Sequence, residues 1–252
     1  MAIELAKSQI TEVTSEEVFN RKRSDTLFIF GSGYSINDLT AAEIEIFSQH
    51  DILSFNWFIY QNFIRIDYHL ILELASNDHD PSIWRQDFEH YSGLLKKSPF
   101  YQNTLFVIKV SISAIRLLAN HCLPEKAACL FYYNRPVGTK YPNTDFKSGF
   151  GGFVHGPSTL FDCMNFAYLF GWKKIVLVGV DLYDRRHFWL KADETDPRDV
   201  IRNKNYWDEH NTTREAIVWA KRWGKYFQRE GIQLSVYNPK SLLAKVIPVF
   251  RR

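Results

Sequence analysis

The chain has 252 residues, of which 46% are hydrophobic and 16% aromatic, so it can bury a large core and does not belong to the disordered class. Its formal net charge of +3 does not indicate nucleic-acid binding, although it suits an anionic ligand or a membrane surface. No apolar run reaches the roughly 18 to 20 residues of a membrane span, and the first residues lack the pattern of a signal peptide. We therefore expect one cytoplasmic domain over residues 1–252.

Apolar runs and helix-capping signals alternate along the chain. Strands are predicted at 26–30, 51–55, 68–72, 104–110, 128–133, 175–180 and 233–237. Helices are predicted at 14–23, 40–48, 80–97, 114–121, 158–170 and 212–227, and a last one after Asn238. This alternation favours an α/β fold of the Rossmann-like type, with a mostly parallel sheet, right-handed crossovers and helices on both faces. The three cysteines (Cys122, Cys129 and Cys163) stand in apolar contexts without metal-type spacing and are predicted to be reduced core residues.

The segment from Gly156 to Tyr183 is the one around which the other elements are predicted to be arranged. Ser158 or Thr159 can cap a helix that is apolar on most sides, and Gly171 stands where a C-terminal cap belongs. The aliphatic run that follows is typical of a central strand covered on both faces. It ends in Asp181 and Tyr183, at the edge of the sheet where α/β proteins bind ligands.

Two other predicted strands also end in residues suited to ligand binding. Gly31-Ser32-Gly33-Tyr34-Ser35 follows the first strand, and such a turn lets backbone N–H groups approach a phosphate. The third glycine of a dinucleotide fingerprint is missing at Ile36, so a tight strand-to-helix turn is the alternative. Asn56 follows the second strand, where a nicotinamide enzyme usually carries an acid, and a carboxamide suits a base or a sugar hydroxyl.

Two long segments, 134–155 and 184–211, have no periodicity. The second is charged and contains Trp189, Tyr206 and Trp207, which favours a lid that orders over a ligand, with a small helical insertion as the alternative. His210 at its end is a candidate proton acceptor, although a structural histidine is the alternative. Asp78-His79-Asp80 formally offers two carboxylates, but its place before a helix favours capping, so no metal site is predicted. The apolar and basic residues 245–252 suggest a peripheral membrane contact.

Several of these motifs, in this order, resemble the bacterial sialyltransferases of glycosyltransferase family 42. The motifs are Gly31 to Ser35, Phe55 to Phe58, Ser158-Thr159, Gly179 to Tyr183, Tyr206 with His210, and Asn238 to Leu243. The resemblance implies a nucleotide-binding Rossmann-like domain with a lid, a CMP-activated nonulosonic acid as donor, inversion at the transferred carbon, and neither a metal nor another cofactor. It also implies a glycan acceptor as the second partner.

The resemblance also assigns roles to individual positions. The candidate catalytic residues are His210, as the base that deprotonates the acceptor, and Tyr183 and Tyr206. The candidate residues for nucleotide and donor binding are Gly31, Ser32, Gly33, Ser35, Asn56, Glu73, Ser158, Thr159 and Asp181.

The chain departs from that family's pattern at several places. The family has asparagine and proline where this chain has Ser32 and Tyr34, an asparagine near Glu73, and an arginine before the buried helix. Its second lid tyrosine is replaced by the region of Phe188 and Trp189. Two alternatives therefore stay open: an ATP- and Mg²⁺-dependent enzyme related to pterin pyrophosphokinases, and a nucleotide-binding module without activity. No nucleic-acid partner is predicted. A homo-oligomer is a further hypothesis, and so is a location at the inner face of the membrane.

Overall fold

The fold is built on a parallel sheet. The computed structural model describes residues 10–72, 81–110, 121–135, 152–154, 156–183, 186–190 and 212–251. The strands are β1 (Ile10–Glu12), β2 (Thr26–Phe30), β3 (Asp51–Phe55), β4 (Tyr68–Ile71), β5 (Leu105–Lys109), β6 (Ala127–Arg135), β7 (Gly152–Val154), β8 (Lys174–Val178) and β9 (Gln233–Val236). The α-helices are α1 (Ser15–Arg21), α2 (Ala41–Ser48), α3 (Pro81–Lys97), α4 (Thr159–Leu169) and α5 (Thr212–Arg229). Short 3-10 helices lie at Tyr34–Asp38, Asn56–Tyr60, Pro99–Tyr101 and Leu242–Lys245.

The strand order in the sheet is β1-β6-β5-β4-β3-β2-β8-β9, and β7 pairs with β6. Every strand pair within the described ranges is parallel. The chain leaves β2 toward β3 on one side and later returns to β8 on the other. The two neighbours β2 and β8 therefore form the switch point of the sheet, where open α/β proteins bind ligands beyond the carboxyl ends of the strands.

Helices cover both faces of the sheet, as the sequence predicts. Helices α1, α4 and α5 pack on one face, and helices α2 and α3 pack on the other. Side chains therefore alternate along the buried strands: Leu27 and Ile29 face α4, whereas Phe28 and Phe30 face α2. The sheet is fully covered because β2, β3 and β8 carry almost continuous apolar runs.

Helix α4 is the most deeply buried helix in the described ranges, and its first nine residues are all buried. It ends where Gly171 takes a φ of 76°, a left-handed conformation that favours glycine, so the predicted C-terminal cap is confirmed. The three cysteines are free and buried, as predicted. Burial raises the pKa of each of these thiols, to about 12 for Cys129.

Three features differ from the sequence predictions. Strands β1 and β7 were not expected, because each has only three residues, too few to show the periodicity of a strand. The last predicted helix is a 3-10 helix of four residues, Leu242–Lys245. The helix predicted at 114–121 and the Asp78-His79-Asp80 motif fall wholly or almost wholly outside the described residues.

The C-terminal residues pack against the sheet. The amide of Val236 donates to the carbonyl of Pro248, and the amide of Phe250 donates back to Val236. Ile247 is buried, and the Phe250 ring lies 5.9 Å from that of Phe28. The apolar side chains that suggested a membrane contact are thus used inside the fold, and the membrane hypothesis loses that support. Within the described ranges, no helix combines the length and apolar character needed to cross a bilayer.

One imidazole is enclosed by the sheet and by helix α3. His69 on β4 stands opposite Ser54 on β3 and is fully buried, with Tyr91 of α3 against its other nitrogen. Burial lowers the pKa of His69 to about 3, because the charged form would lose its hydration. The folded protein therefore holds His69 neutral at pH values where an unfolded chain would protonate it.

This difference predicts a pH dependence of stability. Below the unfolded pKa of about 6.5, only the unfolded state binds the proton, so the free energy of unfolding should fall by about 1.4 kcal/mol for each pH unit toward pH 4. Urea denaturation of the wild type and of His69→Gln between pH 7.5 and 4.5 isolates this effect, since the other titrating groups cancel in the difference. We expect the free energy of unfolding of the wild type to decrease relative to that of His69→Gln as the pH falls. A difference that does not change with pH would contradict the assignment.

Candidate functional site

The carboxyl ends of β2 and β8 lie closer together than side chains on the turns would allow. The amide of Gly31 donates to the carbonyl of Val178 at 2.8 Å, and the amide of Gly33 donates to the carbonyl of Gly179 at 2.7 Å. A Cβ atom on Gly33 would lie 2.4 Å from Asp181 Oδ2, and one on Gly31 would lie 2.7 Å from the carbonyl oxygen of Gly179. The two glycines are therefore required by the approach of two backbone segments.

This geometry corrects the sequence prediction for the glycine turn in one respect. The turn leads into the 3-10 helix Tyr34–Asp38 rather than into an α-helix, so it has no helical N-terminus to offer a phosphate. The amides of Gly31 and Gly33 donate to the end of β8. Among the groups of this turn that were predicted to hold the nucleotide, the Ser32 hydroxyl is therefore the main candidate.

The carboxylate of Asp181, in the segment after β8, binds to the segment after β2. Its buried carboxylate accepts hydrogen bonds from the Ser35 amide (2.9 Å), the Ser35 hydroxyl (2.6 Å) and Asn238 Nδ2 (3.0 Å). Both carboxylate oxygens thus bind donors of the protein itself. This arrangement favours a positioning role for Asp181 and Ser35 beneath the site, and their direct contact with a donor sugar stays a prediction.

Tyr183 stands at the rim of the same edge. Its side chain is exposed, and its hydroxyl oxygen accepts a hydrogen bond from Asn238 Nδ2 at 3.2 Å. Asn238 lies two residues after the end of β9, and its side-chain amide links Tyr183 to Asp181. Asn238 was not among the predicted site residues, although its place directly after the last predicted strand, 233–237, was a usable signal.

Asn56 and Thr159, which are 103 positions apart, meet at this edge. Asn56 Nδ2 donates to Thr159 Oγ1 at 3.0 Å, and Asn56 Oδ1 accepts from the amide of Leu72 at 3.4 Å. Asn56 has a φ of 48°, in the left-handed region that asparagine tolerates better than most residues. Ser158 is the N-cap of α4, yet its hydroxyl makes no capping hydrogen bond.

The segment 186–190 lies over the glycine turn. His187 Nδ1 lies 3.0 Å from Ser32 Oγ, and the Phe188 amide donates to the carbonyl of Ser32. The His187 ring stacks on Trp189 with a centroid distance of 4.4 Å and an interplanar angle of 3°. His187 was not among the predicted site residues, because nothing in the local sequence at 184–190 indicates that this segment folds back onto residue 32.

A groove of about 340 Å³ opens beside this segment. Aromatic rings of Tyr60, Phe63 and Trp189 line it together with the carboxamides of Asn37 and Asn62, and no lining side chain is charged. Trp189 and Tyr60 stack at 4.4 Å and form one wall. Grooves of this size, apolar with a few polar groups, are typical of small-molecule sites.

The remaining predicted site residues lie outside the described residues. These are His210, Tyr206 and Glu73, and of the predicted lid at 184–211 only 186–190 is described. Their roles stay predictions. Within the described part of the chain, no group of three histidine, cysteine, aspartate or glutamate side chains is arranged to hold a metal ion.

The sequence matches no protein-family model and no curated protein at a significant level. The structure is similar to solved sialyltransferases. Cst-I from Campylobacter jejuni, a monofunctional α-2,3-sialyltransferase, shows 16% identity over 89% of this chain and 80% of its own, with a TM-score of 0.46. Cst-II in complex with a trisaccharide acceptor and CMP shows 17% identity over 89% and 85%, with a TM-score of 0.46. A Cst-II variant in complex with CMP shows 16% identity over the same shares, with a TM-score of 0.48. Likeness at this level assigns no activity to this chain.

The close approach of the two segments predicts a large effect of one methyl group. Gly33→Ala should lower the free energy of unfolding by about 2 to 3 kcal/mol, because the new Cβ overlaps the Asp181 carboxylate and the Gly179 carbonyl. Gly93→Ala is the matched control: a Cβ there meets no atom within 4 Å, and alanine should stabilise α3 by about 0.5 to 1 kcal/mol. Urea denaturation measures both. Equal changes in the two variants would show that the turn does not depend on this contact.

Proposed function

We propose that the protein is an inverting, metal-independent glycosyltransferase that moves an acidic sugar of the sialic or related nonulosonic acid class from a CMP-activated donor to a glycan hydroxyl. The contact between Asn56 and Thr159 carries this proposal. The family resemblance implied that Asn56 binds the nucleotide and Thr159 the donor, on separate motifs and separate elements. Their meeting at the carboxyl edge is what a single sugar-nucleotide site requires.

The first turn of α4 suits the negative charges of such a donor. A CMP-activated nonulosonic acid carries a phosphate and a carboxylate. The N-terminus of an 11-residue helix carries partial positive charge and has amides that point outward, which favours anions. The Ser158 hydroxyl, which does not cap the helix, adds a donor at the same place. We assign Ser158 and Thr159 to one of these two anionic groups.

Transfer breaks the bond between the sugar and the phosphate, so negative charge grows on the departing CMP. Tyr183 is our candidate for a donor to this phosphate, since Asn238 orients its phenol at the rim of the edge. Ser32 and His187 offer a second polar pair near the turn. The acceptor hydroxyl attacks from the opposite side of the sugar ring and loses its proton to His210, and Tyr206 lies four residues before that base in the chain.

The aromatic groove suits the neutral part of the acceptor. Its lining combines ring faces with carboxamides and has no charged side chain, which fits sugar hydroxyls and apolar sugar faces better than an anionic nucleotide. We therefore assign the acceptor glycan to the groove and the donor to the edge between Asn56, Thr159 and the glycine turn.

A thermal-shift panel tests the proposal. CMP and CDP should each raise the midpoint of unfolding in the presence of EDTA, since a ligand that binds only the folded state stabilises it. ATP should do so in neither EDTA nor Mg²⁺. A shift with ATP that requires Mg²⁺, and none with CMP, would instead favour the pyrophosphokinase-like alternative.

The proposed base predicts a separation of binding from turnover. His210→Asn should lower the transfer rate by about 10² to 10⁴, the usual effect of losing a general base, while the affinity for CMP stays unchanged. His121→Asn is the control. His121 is exposed and precedes β6, which three strands separate from β2, and asparagine tolerates its φ of 53°. Initial rates of transfer and calorimetric titration with CMP give the two quantities. Unchanged turnover in His210→Asn would remove this residue from the mechanism.

A further inference from the structure

A row of buried hydrogen bonds crosses the sheet beneath Asn56. Ser54 Oγ lies 2.7 Å from His69 Nδ1, and His69 Nε2 lies 2.7 Å from the hydroxyl oxygen of Tyr91. That hydroxyl donates to the main-chain carbonyl of Asn56 at 3.5 Å. Ser54, His69 and Tyr91 are all fully buried. They come from three different elements, β3, β4 and α3, and their row ends at a residue of the candidate site.

The direction of the hydrogen bonds follows from the last acceptor. A carbonyl oxygen can only accept, so the Tyr91 O–H donates to Asn56. The Tyr91 oxygen then accepts from Nε2–H of His69, and the unprotonated Nδ1 accepts from the Ser54 hydroxyl. Burial lowers the pKa of His69 to about 3, so the ring stays neutral near pH 7 and keeps one donor and one acceptor nitrogen.

Asn56 is thereby held from both faces of the sheet. Its carbonyl contacts Tyr91 on the α3 face, and its carboxamide contacts Thr159 and the Leu72 amide on the α4 face. Its φ of 48° is sparsely populated and persists only where surrounding contacts fix it. A change in the carbonyl contact should therefore alter the direction of the carboxamide.

We propose that Ser54, His69 and Tyr91 form a buried positioning relay that fixes the left-handed conformation of Asn56 and thereby sets the affinity of the site for the cytidine nucleotide. The inference rests on the proposed function for the identity of the ligand, and on the described contacts for the relay itself. The three residues do not touch the ligand. They act through Asn56.

Two buried tyrosines provide a matched test. Tyr91→Phe removes the hydroxyl that contacts Asn56 and keeps the ring. Tyr68→Phe is the control: Tyr68 is buried, precedes His69 on β4 and therefore faces the opposite side of the sheet, and its hydroxyl has no hydrogen-bond partner among the described residues. We expect Tyr91→Phe to weaken CMP binding about fivefold, the effect of one neutral hydrogen bond, and to raise KM for the donor by the same factor with kcat within about twofold. Tyr68→Phe should leave the three constants unchanged.

The side-chain amide signals of Asn56 report on the relay without any ligand. Their assignment comes from Asn56→Ala, and they should shift in Tyr91→Phe and in Ser54→Ala but not in Tyr68→Phe. If Tyr91→Phe does not fold, the Asn56 signals of Ser54→Ala test the relay in its place. If the wild-type protein binds no CMP, the proposed function fails, and these signals alone decide whether the relay exists. Unmoved Asn56 signals, or moved signals with unchanged CMP affinity, would overturn the proposal.

Discussion

The close approach of the segments after β2 and β8 is the constraint on which the rest of the site depends. Two glycines allow the backbones to meet, and the Gly31 and Gly33 amides extend the pairing of the two strands beyond the sheet. Asp181 then fixes the far side of the turn through Ser35 and Asn238. The contact between the two segments also positions Ser32 and Tyr183, because each of these residues belongs to one of the segments.

The second fixed point is Asn56, one strand away. Its strained backbone, its carboxamide contact with Thr159 and the buried row below it connect both layers of helices to one residue. A site built in this way combines a rigid floor with the segment 186–190 folded onto it. Side chains that are already held in place lose less conformational freedom when a ligand binds, so less free energy is spent on ordering them. This preorganisation favours the proposed binding of a small anionic molecule at the edge of the sheet.

Much of this arrangement could be predicted from the sequence, since local patterns decide it. The apolar runs at 26–30 and 175–180 predicted buried strands, and parallel pairing alone places Asn56, Gly31 and Asp181 at one edge. Local patterns could not reveal what the side chains do there. The contact of Asp181 with the donor stays a prediction, but its hydrogen bonds with Ser35 and Asn238 could not be predicted, because Ser35 lies 146 positions away and Asn238 lies 57 positions away. The contact of His187 with Ser32 spans 155 positions and has no local signature. The short strands β1 and β7 were missed because three residues carry too little periodicity.

The most direct test of the account is a crystal structure of the protein with CMP. We expect cytidine and phosphate density at the carboxyl edge, in contact with Asn56 and with the first turn of α4 at Ser158 and Thr159, beside the turn at Ser32. Nucleotide density on another face of the sheet, or at the amino ends of the strands, would contradict it.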